Sequence, residues 1–262
     1  SYAGGSWPPS TESGGAWTTD ASTSPALDAG NPGDAYANEP VSGSRINQGA
    51  YGNTVQASKS PPGIVWDGST DDDWQTTTNW TPETIPTITD DAVIPAGCPN
   101  YPLVNEAGDI CNNLTIQSGG SLTMTTGGTL TINATLNCND GSDLYITDGN
   151  LVPTSVNFGS ASTTTYNGTN QTMYNWDYGH LVITAGGTKD VSGDAATPTT
   201  CNNLTINATN TLNIDEDMAL TVSGTLNNFA GTSGLTIQSS ATGDGSLIHS
   251  TPNIGGTVES YF

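Results

Sequence analysis

Carboxylates are the one chemically active group this chain has in quantity. Eight of the 25 fall in three short runs: Asp71-Asp72-Asp73, Asp90-Asp91 and Asp215-Glu216-Asp217. Hard cations such as calcium need several oxygens at once. Asp71, Asp72 and Asp73 beside Asn79, or Asp90 with Asp91, offer that chemistry, and calcium is the one cofactor the sequence suggests. The spacing matches neither an EF-hand nor a glycine-rich calcium repeat. The competing reading is that these are solvated carboxylates in turns. His180 and His249 are the only histidines, and neither lies in a zinc or triad pattern. Arg45, Lys59 and Lys189 are the only basic side chains. No residue is assigned a catalytic role, and the chain is read as non-enzymatic.

Two further groups stand out. Trp66, Trp74 and Trp80 lie within fifteen positions. They read as an aromatic cap over the first coil of a stacked fold, with a sugar-stacking platform as the alternative. The four cysteines are Cys98, Cys111, Cys138 and Cys201. Cys98–Cys111 is the shortest disulfide closure; the alternative places Cys111 and Cys201 as stacked core residues. Arg45 sits near Glu39 and reads as a structural ion pair.

The elements that position these groups are short strands. Cys111-Asn112-Asn113-Leu114-Thr115-Ile116 recurs as Cys201-Asn202-Asn203-Leu204-Thr205-Ile206. Leu-x-apolar triplets begin at Leu114, Leu122 and Leu130, and again at Leu204, Leu212 and Leu220; Leu136 and Leu226 follow. This reads as an internal duplication, 111–152 and 201–248. In each triplet the outer residues share one strand face and the middle one faces water. Gly, Ser, Thr and Asn between triplets turn the chain. So short a strand is stable only when stacked on like neighbours. The expected fold is all-β, a right-handed parallel β-helix or β-solenoid over 64–262, preceded by a short irregular N-terminal segment and linker at 1–63. Asn113 and Asn203 are expected at coil corners.

Composition narrows the partners. Twenty-five acidic residues against three basic ones give a net charge of −22. That argues against nucleic acid and against anionic membranes, and no apolar run is long enough to insert in a bilayer. Charged residues make up only 11% of the chain, so the surface is mostly Thr, Ser, Asn and Gly, which suits an extracellular setting.

Two resemblances bear on this. Ser24-Pro25-Ala26-Leu27-Asp28-Ala29-Gly30-Asn31-Pro32, Asn38-Glu39-Pro40 and Gly43-Ser44-Arg45-Ile46-Asn47-Gln48-Gly49-Ala50-Tyr51-Gly52 resemble the terminal coil of secreted bacterial pectate-lyase-like β-helix proteins. That likeness covers 17–58. Val65-Trp66-Asp67-Gly68, Asp73-Trp74, Asn79-Trp80, Ile85-Pro86, Asp90-Asp91-Ala92-Val93-Ile94-Pro95 and Tyr101-Pro102, followed by the triplets, resemble the opening of β-solenoid modules in large, adhesin-like bacterial surface proteins. The resemblances imply a bacterial, extracellular or cell-surface protein. The expected function is structural and adhesive: self-association head to tail into a filament or surface layer, with itself or other surface proteins as partners. A polysaccharide-binding or polysaccharide-degrading module, with glycans as ligand, and a passive spacer are the alternatives.

Overall fold

The computed structural model describes residues 63–259, all within one unit of the chain, Gly63–Phe262. Arg45, Glu39 and the 17–58 phrase lie outside the described residues. Within them the chain is a β-solenoid of about eight turns. Its strands pair in parallel, except that Trp80–Thr81 runs antiparallel to Ile64–Trp66.

The triplets explain the coil. Leu114–Ile116, Ser121–Met124 and the start of Thr129–Cys138 occupy three successive faces. The chain then returns to the first face, where Leu136 pairs with Leu114. On the second face Leu144 pairs with Leu122, and on the third Leu151 pairs with Leu130. The eight-residue step therefore measures face to face, and a coil takes 21 or 22 residues. Strand alternation turns Leu114 and Ile116, Leu122 and Met124, Leu130 and Ile132 inward, and all six are buried. Thr115, Thr123 and Thr131 between them stay partly exposed.

The two Cys-Asn-Asn-Leu-Thr-Ile copies occupy different faces. Leu114 belongs to the column of Ala92 and Leu136. Leu204 pairs with Leu181 and Leu226, continuing the column that runs from Leu122 through Leu144 and Thr164. What recurs is a corner. A backbone ladder cannot run straight around a bend, so one N–H per coil lacks a strand partner there. Asn113 Oδ1 accepts the N–H of Thr135 at 3.0 Å, and Asn203 Oδ1 accepts that of Thr225 at 2.7 Å. The same amide does the same job at two corners of the coil.

The ladder is not continuous on every face. The first sheet ends at Asn150–Phe158, and the third-face ladder begins anew at Gln171–Thr172. The second face carries parallel pairing past this gap, from Leu103–Val104 upward. Aromatic side chains fill the gap. Tyr174 and Trp176 stack at 4.3 Å, and Phe158 lies 5.7 Å from Trp176. The Tyr174 hydroxyl accepts the N–H of Leu151 at 2.9 Å, replacing a strand partner. Tyr178 donates to the Tyr174 carbonyl, which leaves Tyr166 to donate to Tyr178 and to accept the N–H of Tyr174.

Asn203→Ala removes the acceptor of the Thr225 N–H at the corner and is expected to cost about 0.5–1.5 kcal/mol in denaturant unfolding. Asn203→Asp keeps the acceptor and is expected to recover most of that loss.

Candidate functional site

The residues singled out in the sequence are placed at the first coil. Trp66, Trp74 and Trp80 are each 0% exposed. Trp80 meets Trp66 edge-on at 4.9 Å and Trp74 at 4.7 Å. Trp80 donates its Nε1–H to the Trp74 carbonyl, and Trp66 donates to the Asn100 carbonyl. With Trp80–Thr81 laid antiparallel along the edge of Ile64–Trp66, the group seals the first coil. A sugar has no exposed ring face to stack on here.

The loop that carries the tryptophans is wound around buried Asn79. Its Oδ1 accepts the N–H groups of Thr70 and Asp71, and its Nδ2 donates to Asp71 Oδ1 at 2.6 Å and to the Asp73 carbonyl. Gly68 is required in this turn: its φ is +57°, and a Cβ there would lie 2.0 Å from the Asn100 carbonyl oxygen.

This wiring also decides the expected calcium ligands. Asp71 is engaged by Asn79, by the Asp73 N–H and by Thr76, and the Asn79 hydrogen bond holds its carboxyl below the usual range. Asp73 accepts the N–H of Gln75. Asp90 accepts from Thr87. Asp91 Oδ1 accepts from the Asn112 side chain and from both the backbone and side chain of Asn113. Asp72 is exposed. These carboxylates serve turns and a corner, and among the described residues no group of three or more His, Cys, Asp or Glu is placed to hold a metal ion.

Cys98 and Cys111 are free thiols, not the expected disulfide. Cys111 points into the core on the strand Ala107–Cys111, which pairs with Thr129–Cys138, while the Cys98 thiol reaches the carbonyls of Trp66 and Pro95. Cys138 and Cys201 are core residues too. Burial pushes the thiols of Cys111, Cys138 and Cys201 up to about 12.

Two polar sites had no clear signal in the sequence. Asp109 is 2% exposed, turned inward beneath the cap, and accepts a hydrogen bond from the Gln75 amide. Burial pushes its carboxyl up to about 6, and Glu106 and Asp73 add to the rise while Gln75 opposes it. Lys189 is also fully buried, with Nζ 2.9 Å from the Thr184 carbonyl and also donating to those of Gly186 and Thr169. Desolvation lowers its pKa. It fills an inward position in register with Leu212, which a sequence pattern reads as a break.

The third face also carries an open groove of about 650 Å³ lined by Thr172, Asp190, Ser192, Asp215, Glu216 and Gln238 among others. Residues 65–182, less than half of the chain, match a family model described as a domain of unknown function (DUF8693). No curated protein and no solved structure matches the chain.

A carboxyl whose folded pKa is raised favours the folded state at low pH. Its contribution falls as pH rises from about 4, the unfolded value, to about 6, and is constant above. Replacing Asp109 with Asn is therefore expected to raise stability at pH 7 relative to pH 4 by on the order of 2 kcal/mol, read as the difference between wild-type and variant urea curves at the two pH values. In a thiol titration with Ellman's reagent the native protein is expected to yield at most one reactive group, Cys98, and all four in denaturant. A total of two would restore the disulfide.

Proposed function

We propose that this chain is a secreted, non-enzymatic structural and adhesive protein of the bacterial exterior, and that it self-associates through the last described coil. The observation that carries the reading is an apolar column that becomes exposed toward the last described coil. Ile214, Ile237 and Val258 form one inward column. Ile214 is fully buried, Ile237 is partly exposed and Val258 is 68% exposed. Elsewhere in the last described coils Phe229 and Ile248 are 67% and 63% exposed, Ile248 facing outward in register with Thr221. Ser246–His249 and Thr257–Val258 each pair on one side only. An apolar, half-paired edge of this kind is a template for another strand.

The two ends of the described solenoid differ. The first coil is sealed by the three tryptophans and an antiparallel strand, so the geometry favours contact between two last coils over the head-to-tail filament expected from the sequence. Across a twofold axis the two edges meet antiparallel, a pairing any sheet edge can make. The polysaccharide alternative has lost its platform at Trp66, Trp74 and Trp80. The passive spacer is the outcome that a strict monomer would establish.

Sedimentation velocity across concentration provides the test. Dimer formation is expected in the micromolar range and is expected to strengthen with salt, because two chains of net charge −22 repel at low ionic strength. The variant F229S/I248S/V258S is expected to be monomeric. A wild-type protein that stays monomeric at high concentration and high salt refutes the reading.

A further inference from the structure

We propose that Asn167-Gly168 is a latent deamidation site, kept silent by Gln171 while its coil stays stacked on the one before and reactive once the two part. It is the only Asn-Gly pair in the chain. Asn is a labile residue, and most so before Gly, whose nitrogen meets no side-chain hindrance on its way to the Asn amide carbon. The Gly168 nitrogen attacks Cγ of Asn167; the new N–C bond closes a succinimide ring, and ammonia leaves. Water then opens the ring at either carbonyl and yields aspartate or isoaspartate. Water is the only co-reactant.

Packing brings this pair together. Gly168 is buried, and a Cβ there would collide with the Thr147 carbonyl oxygen and the Gln171 amide, which reserves the position for glycine. Asn167 is partly exposed, so water reaches it. Its N–H donates to the Ile146 carbonyl at 3.1 Å, and its Oδ1 accepts the Thr147 hydroxyl at 2.7 Å. A labile dipeptide is therefore used to tie one coil to the coil before it.

The same coil contact supplies the guard. Gln171 Oε1 accepts the Gly168 N–H at 2.8 Å, and its Nε2 donates to the Ile146 carbonyl at 2.8 Å. Only this orientation of the Gln171 amide satisfies both ends. To attack, the Gly168 nitrogen must give up its proton and swing toward Cγ. Gln171 holds that N–H, and the Thr147 hydroxyl holds the amide it would attack. Both restraints are anchored at Ile146 and Thr147, so parting the coils removes them together. The place is one where parting is easy: the third-face ladder begins anew at Gln171–Thr172, beside the aromatic gap. Local opening is cheapest where few backbone hydrogen bonds hold an element down. Isoaspartate inserts a methylene into the main chain and adds a charge where Asn167 met Thr147. A coil that has opened and reacted then no longer restacks in register. None of this depends on self-association.

The test is incubation of the full chain at physiological temperature and mildly alkaline pH, followed by peptide mapping for aspartate and isoaspartate at position 167. Conversion in the native protein is expected to be many times slower than in the same chain held unfolded in denaturant. Q171A, shown to be folded by circular dichroism, is expected to convert several times faster than wild type. Q117A, at an exposed turn on another coil, is expected to match wild type. Native conversion as fast as in the unfolded chain overturns the proposal. So does a folded Q171A that reacts at the wild-type rate, or an equal acceleration in Q117A. If Q171A does not fold, hydrogen exchange of the wild type decides: a protected Gly168 amide supports the guard, and exchange at the rate of a free amide rejects it.

Discussion

Every coil of this solenoid can bury its apolar pairs only against the coils before and after it. A single triplet such as Leu114-Thr115-Ile116 has two inward side chains and three strand residues, too little to offset the entropy of ordering them. Stacked in register on Ala92 and Ile94 below and Leu136 and Cys138 above, the same residues become part of one continuous core. Stability then depends on neighbouring interfaces, as in other one-dimensional folds. Two problems follow at once: how to turn corners without losing hydrogen bonds, and how to finish the ends.

Corners are solved by side chains that imitate backbone. Asn113 and Asn203 each carry the ladder around a bend by accepting an N–H from the next coil, and Asp91 supports the coil below in the same way. The first coil is finished by indole rings, which supply a large apolar area with one polar atom each to place. Among the described residues no comparable aromatic group lies over the last coil, where the inward column reaches the exposed Val258.

Much of the fold was legible in the sequence because the burial rule has period two and the turns are marked by Gly, Ser and Asn. The all-β class and the stacked strands follow from that pattern, while the tryptophans were read as a cap from the need to close the first coil, with a sugar platform as the alternative. The identical hexapeptides were harder to read. They look like one coil repeated after 90 residues, but they mark a local bend, and a bend can be reused at any corner. The polar sites were the least legible. Asp71 and Asp91 resemble ligands because a run of carboxylates looks the same in sequence whether it binds an ion or caps a turn. Asp109 and Lys189 gave little signal, since their environment is set by residues roughly a coil or more away, such as Gln75 and Thr169.

The gap above Asn150–Phe158 bears on how such a rod responds to force. Elsewhere adjacent coils are joined by backbone ladders on their faces, which must all be sheared or peeled together. Here two faces are bridged by ring contacts and by a tyrosine hydroxyl on Leu151, and the second face alone maintains the ladder. Fewer backbone hydrogen bonds join the coils at this gap than at the other junctions, so less force is needed to part them there. Pulled along its axis or bent, the solenoid would open first at this gap, dividing into two blocks that each keep their own stacked core.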